Sequence, residues 1–580
     1  MGTADKNDGM EVPEPSVRLE TQPLNGGGIH VHQGTMLNAY PDSIGKNMSG
    51  MIAFLKKAEL KDAFRSFYLL PTAFNTDLDR GFSVISYDLC PSLVTSETLK
   101  ELRDMNIDLT FDFILNHLSV LSPQFQDILR KGDQSVYRDF FIDWNRFWSG
   151  CGDKGEDGVV RPGADDFLAK NLRKAGLPIL MVRLPDGRDV PYWNTFYQKV
   201  IYPELSVFDV LEMTGYVYEK ACALCEWVNA RTREGKRPEE MDWGSFAAYR
   251  QPVLEFLNSH RHYLGQMDLN VQSPMVWAWY DQTLEKLSAY GASLIRLDAF
   301  TRLHKARGRT NFMNEPETWD ILGKIREMAA ARGLEVLPEI HAAYNTGAYR
   351  KLADLGCPVY DYFLPALLLD ALDTGDPQCL YDWAVEQIRD GIMAINMLGC
   401  HDGIPIRDPH GLVPDERMDA LTERLVSRGG RKKMLHGVKP EVYQIDMTYY
   451  SALSCDDRKL ALARAVQMFM PGKPQVWYVD LLAGKNDEDV FIRDPSADNR
   501  EMNRHCYSMD EALDALRRPV VQEQIELLRL RNTHPAFSSG ARITVKREGE
   551  NGMHFRWENG ASWVELHVNF STLQWKIDRS

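Results

Sequence analysis

Ile295-Arg296-Leu297-Asp298-Ala299-Phe300 decides the fold. It completes an apolar run, Ser293–Leu297, of the kind that a strand buried on both faces requires. Arg296 and Asp298 are two residues apart, so on a strand they face the same side. Two further stretches repeat the design: Leu337-Pro338-Glu339-Ile340-His341 and Gly399-Cys400-His401-Asp402-Gly403. Carboxylates delivered by three parallel strands converge only at the C-terminal rim of a barrel. Glycoside chemistry needs that set: a nucleophile, an acid/base and a further charge beside an oxocarbenium-like transition state.

Working outward, eight strands are expected: Met36–Tyr40, Ser66–Leu70, Ile107–Leu115, Ser293–Leu297, Glu335–Glu339, Val359–Leu364, Ala394–Cys400 and Gln475–Val479. Helical patterns at Asp281–Tyr290, Glu315–Arg332, Ala342–Leu355 and Asp456–Phe469 alternate with them. The expected class is therefore α/β, a (β/α)8 TIM barrel over residues 31–122 and 285–535. The interval from His117 to Ser293 is too long for one loop and is read as an inserted subdomain (123–284) over the barrel mouth. Within it lie a Gly/Asp-rich loop (Gly150–Asp165), a strand-like Leu177–Arg183, and helical segments near Val217–Asn229 and Phe246–Leu264. The interval Gly403–Lys439 is read as basic and loop-rich near its end, at Arg428–Lys433. After the helix Pro519–Arg531, short alternating runs from Ala541 to Asn569 predict a small C-terminal all-β domain (536–580). Residues 1–30 are polar and Gly/Pro-rich and are read as a flexible lead-in without the basic start and apolar core of a signal peptide.

The 580 residues suffice for one large domain and one or two smaller ones. A formal charge of -15 argues against nucleic acid or an anionic membrane as the main partner, while leaving room for a local basic pocket. The longest apolar runs fall far short of the ~18 residues that a membrane helix needs. Nine cysteines, several in apolar context, predict reduced thiols and a cytoplasmic protein. Cys222 and Cys225 form a C-x-x-C without a second pair, which reads as packing.

At the strand ends, a guanidinium beside Asp298 keeps that carboxylate ionised and oriented, as a covalent nucleophile requires. Partial desolvation is expected to raise Glu339, as suits a general acid. His401 and Asp402 are placed to grip sugar hydroxyls and positive charge, and Asn116-His117 brings a second imidazole to the end of the third strand. Read singly, each cluster also fits a structural ion pair, a helix cap or a turn. Four, at the ends of the third, fourth, fifth and seventh strands, do not fit four separate accidents.

With these residues in hand, the chain resembles the α-amylase superfamily of glycoside hydrolases, and within it the sucrose phosphorylase and sucrose 6-phosphate phosphorylase group. Asp112-Phe-Ile-Leu-Asn116-His117, Arg296-Leu-Asp298-Ala, Glu339-Ile-His and His401-Asp402 carry the broader likeness. Tyr40-Pro-Asp-Ser-Ile-Gly, Asp79-Arg-Gly-Phe, Thr448-Tyr-Tyr-Ser-Ala-Leu, Leu482–Asp487 and Asn499–His505 carry the closer one, over roughly Met36 to Pro535. The resemblance implies Asp298 as nucleophile, Glu339 as acid/base and Asp402 as transition-state stabiliser. It implies Asp79, His117, Arg296, His401 and Arg500 around the glucosyl unit, and Gln444 with Tyr443 on the acceptor side. The implied reaction is retaining phosphorolysis of sucrose or sucrose 6-phosphate to α-D-glucose 1-phosphate, with the two catalytic carboxyls about 5–5.5 Å apart. Inorganic phosphate is the co-substrate and no cofactor is implied; no carboxylate cluster resembles a calcium site. Relatives are often dimers, so a homodimer is left open.

Sucrose phosphorylases usually carry Tyr four residues after the nucleophile; here Arg302 stands there, followed by His304 and Lys305. Arg173-Lys174, Arg183 and Arg431-Lys432-Lys433 add cations on candidate acceptor loops. With the wording around Cys400–Pro405 and Arg428-Gly-Gly, these favour an anionic acceptor, whereas Tyr443 replaces the His expected of the sugar-phosphate branch. The alternatives are a hydrolase or transglucosidase of the superfamily, a glucosylglycerol or glucosylglycerate phosphorylase, or an inactive barrel serving as a scaffold.

Overall fold

The computed structural model describes residues 16–18, 34–167, 172–436 and 440–580. Eight parallel strands form one sheet: β1 (Met36–Ala39), β2 (Ser66–Leu69), β3 (Asp108–Ile114), β4 (Ala292–Asp298), β5 (Glu335–Pro338), β6 (Val359–Asp361), β7 (Ala394–Met397) and β8 (Lys473–Trp477). Their hydrogen-bonded order is β5-β4-β3-β2-β1-β8-β7-β6, and β5 and β6 adjoin without a ladder, so the barrel is nearly closed. The period-two alternation expected of β4 is kept. Ile295 and Leu297 are fully buried in the apolar core, while Arg296 and Asp298 lie in the site. Polar side chains packed inside the barrel satisfy one another: Tyr68 Oη donates to Asp112 at 2.8 Å, and Tyr360 Oη to Gln475 Oε1 at 2.7 Å.

Several strands stop earlier than expected. Leu364 opens the helix Leu364–Thr374, and Val479 lies in the helix Tyr478–Leu481. Asp361, the last residue of β6, explains the first change. Its carboxylate accepts from the backbone N–H groups of Phe363 and Leu364 at 3.1 and 3.0 Å and so caps that helix. Asp456 acts likewise for Asp457–Phe469.

The long interval after β3 holds two small cores. One is aromatic, with Trp144, Trp148, Trp193 and Phe167. The other is helical, built by Val207–Thr214, Tyr218–Arg233 and Arg250–Ser259 around Val210, Leu224, Val228 and Leu257. Cys225 packs in it and donates to Leu205 O. The helix Pro274–Ala289 crosses the expected 284/285 boundary. It packs on the barrel core through Val276, Leu284 and Leu287, and Tyr280 Oη donates to Leu115 O at 2.7 Å.

Arg428–Lys433 corrects the loop reading. Arg431–Leu435 is a strand paired with Glu441–Asp446, which in turn pairs with Ile404–Pro405. The C-terminal sheet has four consecutive antiparallel strands, Arg542–Glu548, Gly552–Asn559, Ser562–Asn569 and Gln574–Arg579. Its fifth strand is Ser16–Arg18, which pairs with Arg542–Thr544. The rest of the expected lead-in lies outside the described residues. No described helix is long and apolar enough to cross a membrane, and all nine cysteines are unpaired.

Candidate active site

The C-terminal rim of the barrel opens into a cavity of about 510 Å³ that Asp298, Glu339 and Asp402 all line. Asp298 is the last residue of β4. The chain turns there through Ala299, which adopts the left-handed conformation (φ 52) and donates its N–H to Glu339 Oε2 at 3.1 Å. Arg296 lies beneath both carboxyls: Nη1 is 3.1 Å from Asp298 Oδ1 and Nη2 is 2.7 Å from Glu339 Oε1. Nη1 also reaches Asp112 at 2.6 Å. One fully buried guanidinium therefore fixes the two side chains beside each other.

The electrostatics correct the expected rise of Glu339. Burial pushes its carboxyl up, but Arg296 and His341 outweigh burial and hold it below the usual range. Burial, and then repulsion from Glu339, instead raise Asp298 well above it. Two carboxyls so close on one guanidinium repel each other, so their protonation is linked. His341 Nε2 lies 3.3 Å from Glu339 and its Nδ1 3.3 Å from Asp408. Burial opposes the imidazolium, yet Asp408 and Glu339 raise His341 to about 9.

On the opposite wall, Arg500 joins three loops. Nη1 is 2.9 Å from Asp402, Nε is 3.0 Å from Asp498, and Nη2 pairs with Asp79 and donates to Tyr197 Oη at 2.8 Å. Burial works against the charge on Asp402, but His401, Arg500 and Arg504 hold it well below the carboxylate range. His401 stacks on Phe82 with ring centroids 4.8 Å apart, and burial lowers it to about 3. His117 Nε2 donates to Phe82 O at 2.9 Å, and burial lowers its pKa too. Both imidazoles are thus neutral and suited to hydrogen bonding with hydroxyls.

The far side of the cavity is cationic. Arg173 and Arg302 each lie 5.8 Å from the Phe196 ring, and Arg173 also covers Tyr443 at 4.7 Å. Burial, and then repulsion from Arg173, lower Arg302 to about 9. Lys174, Lys432 and Lys433 line the same cavity, and burial lowers Lys174 to about 7. Gln444 sits nearby and donates to Asp446 at 2.5 Å. Other expected cations stand elsewhere. Arg183 is half exposed on Asp189, Arg431 pairs with Glu488, and Lys305 is buried on Asp268 at 2.7 Å. His304 does not line the cavity.

The structure thus brings Asp79, His117, Asp298, Arg302, Glu339, His401, Asp402, Tyr443, Gln444 and Arg500 to one cavity, with Arg296 directly beneath. Sequence reasoning gave no role to Tyr197, Phe196, Asp498 or His341. Tyr197 and Phe196 come from the insertion, where nothing in the pattern marks them as facing the barrel. His341 stood in a quoted motif, two residues from Glu339, and that spacing was the available signal.

No protein-family model matches the chain. Among curated proteins, it is 44% identical over 551 residues to the sucrose 6(F)-phosphate phosphorylase of Ilumatobacter coccineus, covering 93% of this chain and 95% of that one. The sucrose 6(F)-phosphate phosphorylase of Thermoanaerobacterium thermosaccharolyticum is 31% identical over 550 residues, covering 93% and 96%. The chain belongs to the sucrose phosphorylase family. A crystal structure of sucrose 6F-phosphate phosphorylase from Thermoanaerobacter thermosaccharolyticum superposes with a TM-score of 0.77 at 29% identity, covering 95% of this chain and 96% of the other. An α-amylase from H. orenii, 14% identical with a TM-score of 0.57 and covering 93% and 90%, shares the fold. The sucrose phosphorylase of Streptococcus mutans, 29% identical over 549 residues, covers 94% of this chain and 97% of its own.

Proposed function

We propose that the chain is a retaining α-glucoside phosphorylase that converts sucrose 6-phosphate and inorganic phosphate to α-D-glucose 1-phosphate and fructose 6-phosphate. The observation that carries the choice of acceptor is the pair of a buried Arg302 and a half-buried Arg173, both lining the cavity that also holds Asp298 and Glu339. Two guanidiniums on one aromatic ring concentrate positive charge on the acceptor side of the cavity. A sugar phosphate supplies the opposite charge, and guanidinium matches its geometry.

In the first step the glycosidic oxygen takes a proton from Glu339 while Asp298 attacks the anomeric carbon. The bond to fructose 6-phosphate breaks and a β-glucosyl ester forms. Arg296 touches both carboxyls, so it orients Asp298 for attack while Glu339 delivers its proton to the leaving oxygen. In the second step a phosphate oxygen attacks the anomeric carbon from the face the leaving group vacated. Asp298 is released and Glu339 takes the phosphate proton. Asp402, His401, His117 and the Arg500–Asp79 pair hold the glucosyl hydroxyls, and Asp402 adds negative charge beside the oxocarbenium-like transition state. Nucleophile, acid and base all come from the chain, and phosphate is the only co-substrate the scheme calls for. A cytoplasmic location and a homodimer belong to the same reading, supported by the unpaired thiols and by the family resemblance respectively.

The test is a phosphorolysis panel of sucrose, sucrose 6-phosphate, glucosylglycerol and glucosylglycerate. Phosphate-dependent release of glucose 1-phosphate, fastest with sucrose 6-phosphate, is expected. Free glucose formed without any dependence on phosphate would sink the reading.

A further inference from the structure

The C-terminal sheet carries a cluster that the barrel chemistry does not use. His554 on Gly552–Asn559 stands directly opposite His567 on Ser562–Asn569. Their rings stack with centroids 4.3 Å apart. Glu565, two residues before His567, shares its side of the strand. Glu565 Oε1 lies 3.8 Å from His554 Nε2, and Oε2 lies 3.9 Å from His567 Nε2. One donor atom from each of the three falls within 4.8 Å of the other two.

We propose that His554 Nε2, His567 Nε2 and Glu565 form a binding site for a zinc-class divalent metal ion that staples two strands of this sheet. Three features beyond proximity support it. His567 Nδ1 lies 2.8 Å from Glu548 Oε1, so its proton is held there and the Nε2 lone pair faces Glu565. A carboxylate behind a ligating imidazole in this way fixes tautomer and ring orientation in metal sites. His554 Nε2 has no hydrogen-bond partner although its side chain is only 12% exposed. Arg556 holds Glu565 through Oε1 and leaves Oε2 for the ion. Two imidazoles and one carboxylate with an open position match zinc, whose bonds to N and O are about 2.0–2.2 Å. Ligation by both Nε2 atoms requires the two rings to turn out of their near-parallel stack so that their lone pairs converge. The surrounding charges are mixed: Lys546 and Lys576 stand beside the histidines in the register, opposed by Glu548 and Glu558. The cluster opens onto a surface groove that Glu548, His567 and Trp575 line, which gives the ion a way in.

The experiment is calorimetric titration of the metal-free full chain with zinc chloride at neutral pH. It is run on the wild type and on the His567→Ala and His554→Gln variants, with phosphorolysis as the check that each is folded. One zinc per chain is expected, with affinity at least about tenfold weaker in either variant while phosphorolysis is retained. Absence of saturable binding overturns the proposal. So does a site that persists in both variants; that result, together with inhibition by zinc, would place the ion on Glu339, His341 and Asp402 instead.

Discussion

Arg296 contacts Asp112, Asp298 and Glu339 with a single guanidinium, so the charge state of the catalytic pair is set from beneath by one buried cation. The strand-end carboxylates were legible because an apolar run that stops at a charge is a pattern of the chain itself. The direction of Glu339's shift was not, because it depends on Arg296 reaching across to it from the neighbouring strand, and then on His341 beside it. His341 gives a testable sign. Its folded pKa of about 9 exceeds the ordinary ~6.5, so its contribution to stability is fully present below about pH 6.5 and is lost as pH rises through 9. The difference in thermal stability between wild type and His341→Gln is therefore expected to shrink from about pH 6 to about pH 9.5, as read by calorimetry. Arg302 gives a second. Replacing it with Tyr removes a cation from the acceptor side, so kcat/KM for sucrose 6-phosphate is expected to fall roughly 10–100-fold, with a much smaller loss on sucrose. Equal losses would show that Arg302 does not read the anion.

Among the elements, the hairpin over the mouth was the hardest to read. Arg428–Lys433 looks like a loop because cations crowd it, yet edge strands tolerate lysine well, and Arg431–Leu435 is such a strand. The hairpin positions Gln444 and Lys433 over the cavity and packs on the turn after β7 at Gly403. A Cβ at Gly403 would meet Ile445 O at 2.3 Å and Asp446 Oδ1 at 2.7 Å. Gly403→Ala must therefore push the His401–Asp402 turn off the hairpin. We expect a fall in kcat of roughly 10–100-fold with unchanged circular dichroism. The β/α alternation itself was legible, and its errors were at strand ends such as that of β6, which Asp361 stops by capping the next helix.

At the scale of the whole molecule, the barrel followed from eight apolar runs, whereas the layout of the insertion did not, since its cores form from segments far apart in the chain. Its helical part is a closed excursion. Ile201 pairs with His262, so the chain leaves and returns at neighbouring points. None of the core residues of that part lines the catalytic cavity. Replacing residues 202–261 by an Asn-Gly turn should close the same two strands as a hairpin. The shortened chain is expected to fold and to retain phosphorolysis within about tenfold, measured with the same substrates. In the proposed mechanism catalysis rests on the barrel rim, and above all on Asp298 forming a bond to the sugar. The most direct measurement is peptide mass analysis of the Glu339→Gln variant after exposure to α-glucosyl fluoride, whose leaving group needs no acid. A glucosyl adduct on Asp298 is predicted; an adduct on another residue, or turnover with none formed, would contradict the account.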